Sequence, residues 1–262
     1  MAKSINRNQA NATLSRKIAL SPSLFIIEVK PDFEIPDFKP GQYVALGLVV
    51  GGVSQLEQSP SVKKPRLVKR TYSIASAPDY KDGLEFYIAL VPGGEFTPSL
   101  LKLEPGARLF VAPKITGTFN LDPVPEDAEL NFIATGTGIA PFISMLRSNK
   151  SLGVKNRTTL LHGVRYQSDL AYRDELLELE KERTNFCYQV TVSRPGEQWE
   201  GNVGYVQNLL FNSGQTLSPE RQHFFLCGNP AMIEELETSL LELGFNLHSR
   251  RTPGNLHLEK YW

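Results

Sequence analysis

Short runs of apolar, β-branched and aromatic residues, each ended by turn formers, fill the chain up to about residue 122. SLFIIEV (23–29), QYVALGLVV (42–50), TYSIAS (71–76), LEFYIALV (84–91) and RLFVAP (108–113) have the length and composition of strands. KPG at 39–41, APDYKDG at 77–83, PGG at 92–94 and EPG at 104–106 separate them. Several strands with no long helical pattern predict an antiparallel barrel or sandwich, with one short helix near PSLLK (98–102). LDPVPEDAE (121–129), acidic and twice interrupted by proline, reads as a linker.

Beyond it the rhythm changes. Strand-like runs LNFIAT (130–135), TTLLHGV (158–164), FCYQVTV (186–192) and HFFLCG (223–228) alternate with helical segments near 140–149, 172–182, 203–211 and 230–243. That βαβα order predicts a parallel sheet covered by helices on both faces. The last helix has Asn229 to cap it, Pro230 for its first turn and Gly244 to end it. Met232, Leu236, Leu240 and Leu243 share one of its faces. Two domains follow: residues 1–122, a β-barrel, and residues 123–262, an open α/β sheet.

The remaining numbers narrow the function classes. Lys plus Arg is 28 and Asp plus Glu is 28, so no whole-molecule charge drives binding to nucleic acid or membrane. Two cysteines, Cys187 and Cys227, make no disulfide framework and cannot hold a four-cysteine iron–sulfur cluster. His162, His223, His248 and His257 are scattered without ligand-like spacing, so no metal is expected. The first residues lack a signal-peptide run, and no stretch is long enough to span a bilayer. A cytoplasmic, soluble and monomeric protein is the expectation.

Open α/β sheets bind ligands beyond the carboxyl ends of their strands. Gly136 and Gly138 in GTGIAP (136–141) allow a sharp turn and a close backbone approach to a phosphate; an ordinary strand-to-helix turn reads the same way. Arg165 follows one strand, and Ser193 and Arg194 follow the next. These are either solvated loop charges or a seat for a 2′-phosphate, which would favour NADP over NAD. Cys227, at the end of HFFLCG, can pack beside a flat ring or be a buried thiol. In the first domain, RTYSIAS (70–76) offers Arg70 for a phosphate, a ring face at Tyr72 and a hydroxyl at Ser73. Arg70 and Tyr72 share one strand face and Ser73 the other, so serving one ligand requires a bulge or bend. GGEFTPSL (93–100) adds a glycine turn before a helix, with Thr97 near its start. Lys63, Lys64, Arg66 and Lys69 make a long loop, 50–70, locally basic: a solvated loop, or a landing site for an acidic protein.

The order R-x-Y-S, Gly-rich turn, GTGIAPF, V-S-R, CGNPAM, and a carboxylate with terminal aromatics resembles the ferredoxin–NADP reductase family over nearly the whole chain, and is most similar to bacterial members ending in Tyr-Trp. The resemblance implies a flavoenzyme that exchanges electrons between NADP(H) and ferredoxin or flavodoxin. Arg70 would pair with the FAD pyrophosphate, Tyr72 would stack on the flavin and Ser73 would bond near N5. Gly94 and Thr97 would help seat the pyrophosphate. Gly136, Thr137 and Gly138 would line the NADP path. Ser193 and Arg194, with Arg165 assisting, would hold the 2′-phosphate. Tyr205 stands where some bacterial relatives carry an arginine, and would stack on adenine. Cys227 and Glu259 would flank the nicotinamide. Tyr261 would cover the flavin as a gate, with Trp262 extending the tail. An alternative with the same fold is an NAD(P)H-dependent reductase component for an oxygenase.

Overall fold

The computed structural model describes residues 10–50, 65–148, 156–212, 214 and 216–260. The chain divides into two compact units, Met1–Thr118 and Phe119–Trp262.

The first unit is built from β1 (Ala12–Ser21), β2 (Leu24–Pro31), β3 (Tyr43–Val50), β4 (Arg66–Ser73), β5 (Leu84–Ala89) and β6 (Arg108–Val111), with one helix, α1 (Phe96–Leu101). They form a six-stranded antiparallel sheet in the order β4-β3-β6-β1-β2-β5. Just past β4, the Ala75 N–H donates to the Glu85 carbonyl at 2.8 Å. That bond joins the two ends of the sheet, so the expected barrel is what forms. Leu14, Phe25, Ile27, Leu46, Ile74, Phe86 and Leu109 fill its interior, with Phe96 of α1 packed on the same core. Asn11 ties in the first strand through both ends of its amide, donating to the Val111 carbonyl at 2.9 Å and accepting from the Val111 N–H at 2.8 Å.

β1 does not stand out in the sequence because its alternation is broken. Its register against β2 shifts between Leu14 and Arg16 and again between Ala19 and Ser21. The basic stretch 50–70 is not all loop: β4 begins at Arg66, so Arg66, Lys69 and Arg70 stand on a strand. Lys63 and Lys64 lie outside the described residues.

The second unit holds β7 (Glu129–Thr135), α2 (Ala140–Arg147), β8 (Thr158–Val164), α3 (Arg173–Glu182), β9 (Phe186–Val192), β10 (Asn202–Val203), α4 (Val206–Phe211), β11 (Gln222–Gly228), α5 (Pro230–Glu242) and β12 (Leu256–Lys260). Its sheet is parallel throughout, in the order β10-β9-β8-β7-β11-β12. One face is apolar against α4 and α5, through Ile133, Leu161, Leu210, Phe224, Leu226, Ile233 and Leu236. The other stacks aromatics under α2: Phe132 lies 4.8 Å from Phe142 and 5.7 Å from Phe225, ring centre to ring centre. Phe119 packs on the same cluster, so the chain joins this unit at Phe119. Arg147 and Glu175 link α2 to α3 with a bidentate ion pair.

α5 starts as its sequence dictates, with the Asn229 side chain accepting from the Ala231 N–H at 2.8 Å. Leu243 departs from the expectation: it follows the last helical residue and is exposed, while Met232, Leu236 and Leu240 are buried. α4 is shorter than expected because Gly204, at φ 117°, turns the chain after the two-residue β10. β12 is an additional edge strand with a charged end. Among the described residues no helix is long and apolar enough to cross a membrane.

Candidate functional site

Five strand ends of the second unit meet along one rim of its parallel sheet. At β7 the chain turns into a 3-10 segment, Gly136–Ile139, which leads directly into α2. Two of its residues must be glycine, for different reasons. Gly136 has φ 53°, in the left-handed region. Gly138 lies against β11: a Cβ there would sit 2.3 Å from the Cys227 carbonyl oxygen and 2.7 Å from Gly228 Cα. The turn is therefore pressed onto the end of the neighbouring strand. Thr135 adds a clasp, its Oγ1 accepting from the Asn229 N–H at 2.8 Å.

Next to this turn, Cys227 pairs with Ala134 on one side and Glu259 on the other. Cys227 is fully buried, and its Sγ lies 3.9 Å from Glu259 Oε1. β12 thus delivers the carboxylate to the thiol through strand register. Tyr261 and Trp262 lie outside the described residues; Lys260, the last described one, is paired with Gly228.

On the other side of the turn, the β8–β9 ladder continues past the strands. The Ser193 N–H donates to the Val164 carbonyl at 2.9 Å and the Arg194 N–H to the Arg165 carbonyl at 2.8 Å. The Ser193 hydroxyl also donates to the Val164 carbonyl, at 3.3 Å. Arg165 and Arg194 are exposed, and the Arg194 guanidinium approaches the Tyr166 hydroxyl at 3.4 Å. That contact, with the nearby Tyr205, raises the arginine's pKa. Tyr205 is 66% exposed at the start of α4, held beside β9 by the Gly204 N–H bonding to the Val192 carbonyl at 3.1 Å. Two cations and two exposed phenol rings make a surface suited to a phosphate and a flat base. Tyr166 was not singled out from the sequence; its signal was its place directly after Arg165. Asp169, the nearest acid, is buried and accepts from the Tyr166 N–H at 3.3 Å, so it braces the loop instead of facing a ribose.

In the first unit, β4 carries Arg70, Tyr72 and Ser73 and packs beside the start of α1 through Tyr72. Tyr72 is half-buried, its ring 5.9 Å from Phe96 and 6.5 Å from Phe86. Burial raises its phenol pKa, opposed by the charge of Arg70. Arg66 pairs with Glu95 across the same gap. The β3–β4 register is unbroken from Val50↔Arg66 to Tyr43↔Ser73. There is no bulge in the described ladder, so exposed Arg70 and Tyr72 share a face while Ser73, buried, points to the other at the end of the strand. Gly94 is exposed. Thr97 is buried, and its Oγ1 accepts from the Val91 N–H at 2.9 Å, which closes the turn and leaves the hydroxyl proton to donate.

Residues 132–238 match the model of the oxidoreductase NAD-binding domain. The chain is 35% identical over 265 residues to ferredoxin–NADP reductase B of Sorangium cellulosum (strain So ce56), an alignment covering 97% of this chain and 99% of that protein. It is also 35% identical over 234 residues to the flavodoxin/ferredoxin–NADP reductase of Shigella flexneri, covering 86% and 88% of the two. The chain belongs to the ferredoxin–NADP reductase family. A solved ferredoxin NADP+ reductase from Neisseria gonorrhoeae with bound FAD and NADP superposes with a TM-score of 0.80 at 25% identity, covering 96% of this chain and 99% of that one. The family's arrangement, a barrel followed by a parallel α/β sheet, is the one seen here.

Among the described residues no group of three or more His, Cys, Asp or Glu side chains is placed to hold a metal ion. The structure nevertheless brings together three histidines that the sequence keeps apart. His223 Nδ1 lies 3.3 Å from His257 Nε2, and the His248 and His257 rings are 4.5 Å apart. His257 also stacks on Phe225 at 4.0 Å. Burial, then the neighbouring His248 and His223, push the His257 pKa down to about 3.

Proposed function

We infer that this protein is an FAD-dependent ferredoxin/flavodoxin–NADP(+) oxidoreductase. The observation that carries the reading is the convergence, along one sheet rim, of the Gly136–Ile139 turn, the Cys227–Glu259 pair and the Ser193, Arg194, Arg165 cluster. The residues fit the two nucleotides by chemistry. In the barrel unit, a cation at Arg70, a ring face at Tyr72 and the exposed turn at Gly94, closed by Thr97, form the FAD seat; Ser73, buried on the opposite strand face, would reach the same ligand only through a bend at the end of β4. In the second unit, Gly136, Thr137 and Gly138 receive the NADP(H) pyrophosphate, Arg194 and Arg165 with Ser193 receive the 2′-phosphate, and Tyr205 offers its ring to the adenine.

FAD held in that seat would supply the redox chemistry, exchanging two electrons with NADP(H) and single electrons with ferredoxin or flavodoxin. The chain's own groups position and screen. Cys227, small, polarizable and fully buried, would meet the nicotinamide only once the groups that cover it move aside. Glu259, held beside it by strand register, provides the carboxylate that orients the ring. Tyr261 and Trp262, outside the described residues, are assigned by the family resemblance alone the role of a displaceable aromatic gate.

The test is the visible spectrum of the purified protein, recorded anaerobically before and after one equivalent of NADPH, with NADH in parallel. Oxidised-flavin bands that bleach faster with NADPH support the reading. Bleaching by Glu259→Gln or Cys227→Ala is expected to be slower, with the flavin bands retained. A protein that takes up no FAD, or whose flavin neither nucleotide bleaches, overturns it.

A further inference from the structure

Beneath the Gly136 turn sits a polar pair with no part in the nucleotide contacts proposed above. His162, in the middle of β8, is completely buried. Its Nε2 lies 3.1 Å from the Gly136 carbonyl oxygen, and its Nδ1 lies 3.3 Å from the hydroxyl of Tyr188 on β9. A carbonyl oxygen can only accept, so Nε2 carries the proton and Nδ1 accepts from the tyrosine. Burial lowers the imidazole pKa to about 4 and raises that of the phenol. Both groups are therefore neutral near pH 7, and the pair acts by hydrogen bonding, not by charge.

Gly136 has no side chain to pin its peptide, and open space surrounds the place where a Cβ would be. The peptide between Gly136 and Thr137 is trans, as are all the described peptide bonds. In a trans peptide the C=O and N–H point in opposite directions. A bond that draws the Gly136 oxygen down toward β8 therefore turns the Thr137 N–H up and away from it. One end of the turn is fixed by packing, Gly138 on Cys227; at the other, this hydrogen bond adds to the 3-10 bonding of Gly136–Ile139. A buried imidazole is costly to keep in an apolar sheet unless both nitrogens are satisfied, and here both are.

We propose that His162, set in its tautomer by Tyr188, is a positioning residue for the dinucleotide: it holds the Gly136–Thr137 peptide so that the Thr137 N–H faces the pyrophosphate. The proposal deepens the reading that this turn seats NADP(H) and rests on it.

The experiment compares wild type, His162→Leu and His162→Gln as FAD-loaded enzymes, titrated with NADP+ and assayed with NADPH and a dye acceptor. Leucine removes the donor; glutamine can return an N–H near the Nε2 position. The expectation for His162→Leu is retained flavin, NADP+ affinity weaker by roughly three- to tenfold and a loss that falls on the KM for NADPH, with His162→Gln recovering most of it. Wild-type affinity in His162→Leu, or equal impairment in both variants, overturns the proposal while leaving the nucleotide reading intact. A wild-type enzyme that binds no NADP+ overturns the nucleotide reading, and the proposal with it. If His162→Leu does not fold, long-range 1H–15N spectra of the wild-type holoenzyme decide. One neutral, Nε2-protonated imidazole, absent from His162→Gln, must shift on adding NADP+. Failure of any imidazole to respond overturns the proposal.

Discussion

Gly138→Ala adds a single methyl at the tightest point of the nucleotide turn. The new carbon would stand 2.3 Å from the Cys227 carbonyl oxygen, 2.6 Å from its carbon and 2.7 Å from Gly228 Cα. Ordinary contact between such atoms is roughly 3.5 Å, so the turn and β11 must part by about 1 Å. The obstacle is backbone, and β11 is hydrogen-bonded to β7 on one side and β12 on the other, so the strand cannot yield. Overpacking of this kind costs about 1–3 kcal/mol, and a displacement of about 1 Å in a positioning element can cost about a hundredfold in function. NADP+ affinity is expected to fall by about ten- to a hundredfold, with the flavin content unchanged. Gly136→Ala is the internal comparison. It meets nothing within 4 Å but keeps φ 53°, a strain of about 1–2 kcal/mol that can relax by local rotation. Its loss should be the smaller of the two. Calorimetric titration of both FAD-loaded variants with NADP+ decides. Wild-type affinity in Gly138→Ala, or a larger loss in Gly136→Ala, would refute the packing argument.

Further outcomes concern charge and acid. Arg194→Ala should weaken NADP+ by about tenfold or more and leave NAD+ nearly unaffected, since the guanidinium is assigned to the 2′-phosphate; equal losses for both nucleotides in competition titrations would remove that role. The His257 pKa falls from an ordinary value near 6.5 in the unfolded chain to about 3 in the fold. Its contribution is therefore complete above about pH 6.5 and is lost as pH drops toward 3, amounting to about 2–3 kcal/mol by about pH 4.5. His257→Gln should flatten the dependence of melting temperature on pH between about 6.5 and 4.5; parallel slopes for variant and wild type would show that the trio is not acid-sensitive. Removing Tyr261 and Trp262 should strengthen NADP+ binding, and unchanged affinity would count against the gate.

The sequence exposed what repeats locally. Thr158–Val164 and Phe186–Val192 stand where their runs of apolar and β-branched residues place them, as is usual for interior strands of a parallel sheet. Strands with a solvated face were harder. β1 hides behind two register shifts, β4 looks like a basic loop because Arg66, Lys69 and Arg70 project from it, and β12 is short and charged. The residue types on the rim were legible from the turns and strand ends around them. What joins them was not. The bond from His162 to Gly136 spans 26 residues, Tyr166 reaches Arg194 across 28, and the histidine trio draws on three separate segments. These contacts are made by strand order, which no local spacing encodes.

β12 has a consequence for how the protein is made. It comes last of the strands in chain order, yet it supplies Glu259 and covers the free edge of β11. During synthesis, β11 has β7 on one side and nothing on the other until residues 256–260 arrive. Phe224 and Leu226 would then stand on a strand whose unpaired N–H and C=O groups invite pairing with other chains. A product that stops short would lack its acidic group and also be marked for aggregation or proteolysis. A chain lacking residues 256–260 is therefore expected to be less stable, and more prone to pair through its β11 edge, than the whole protein.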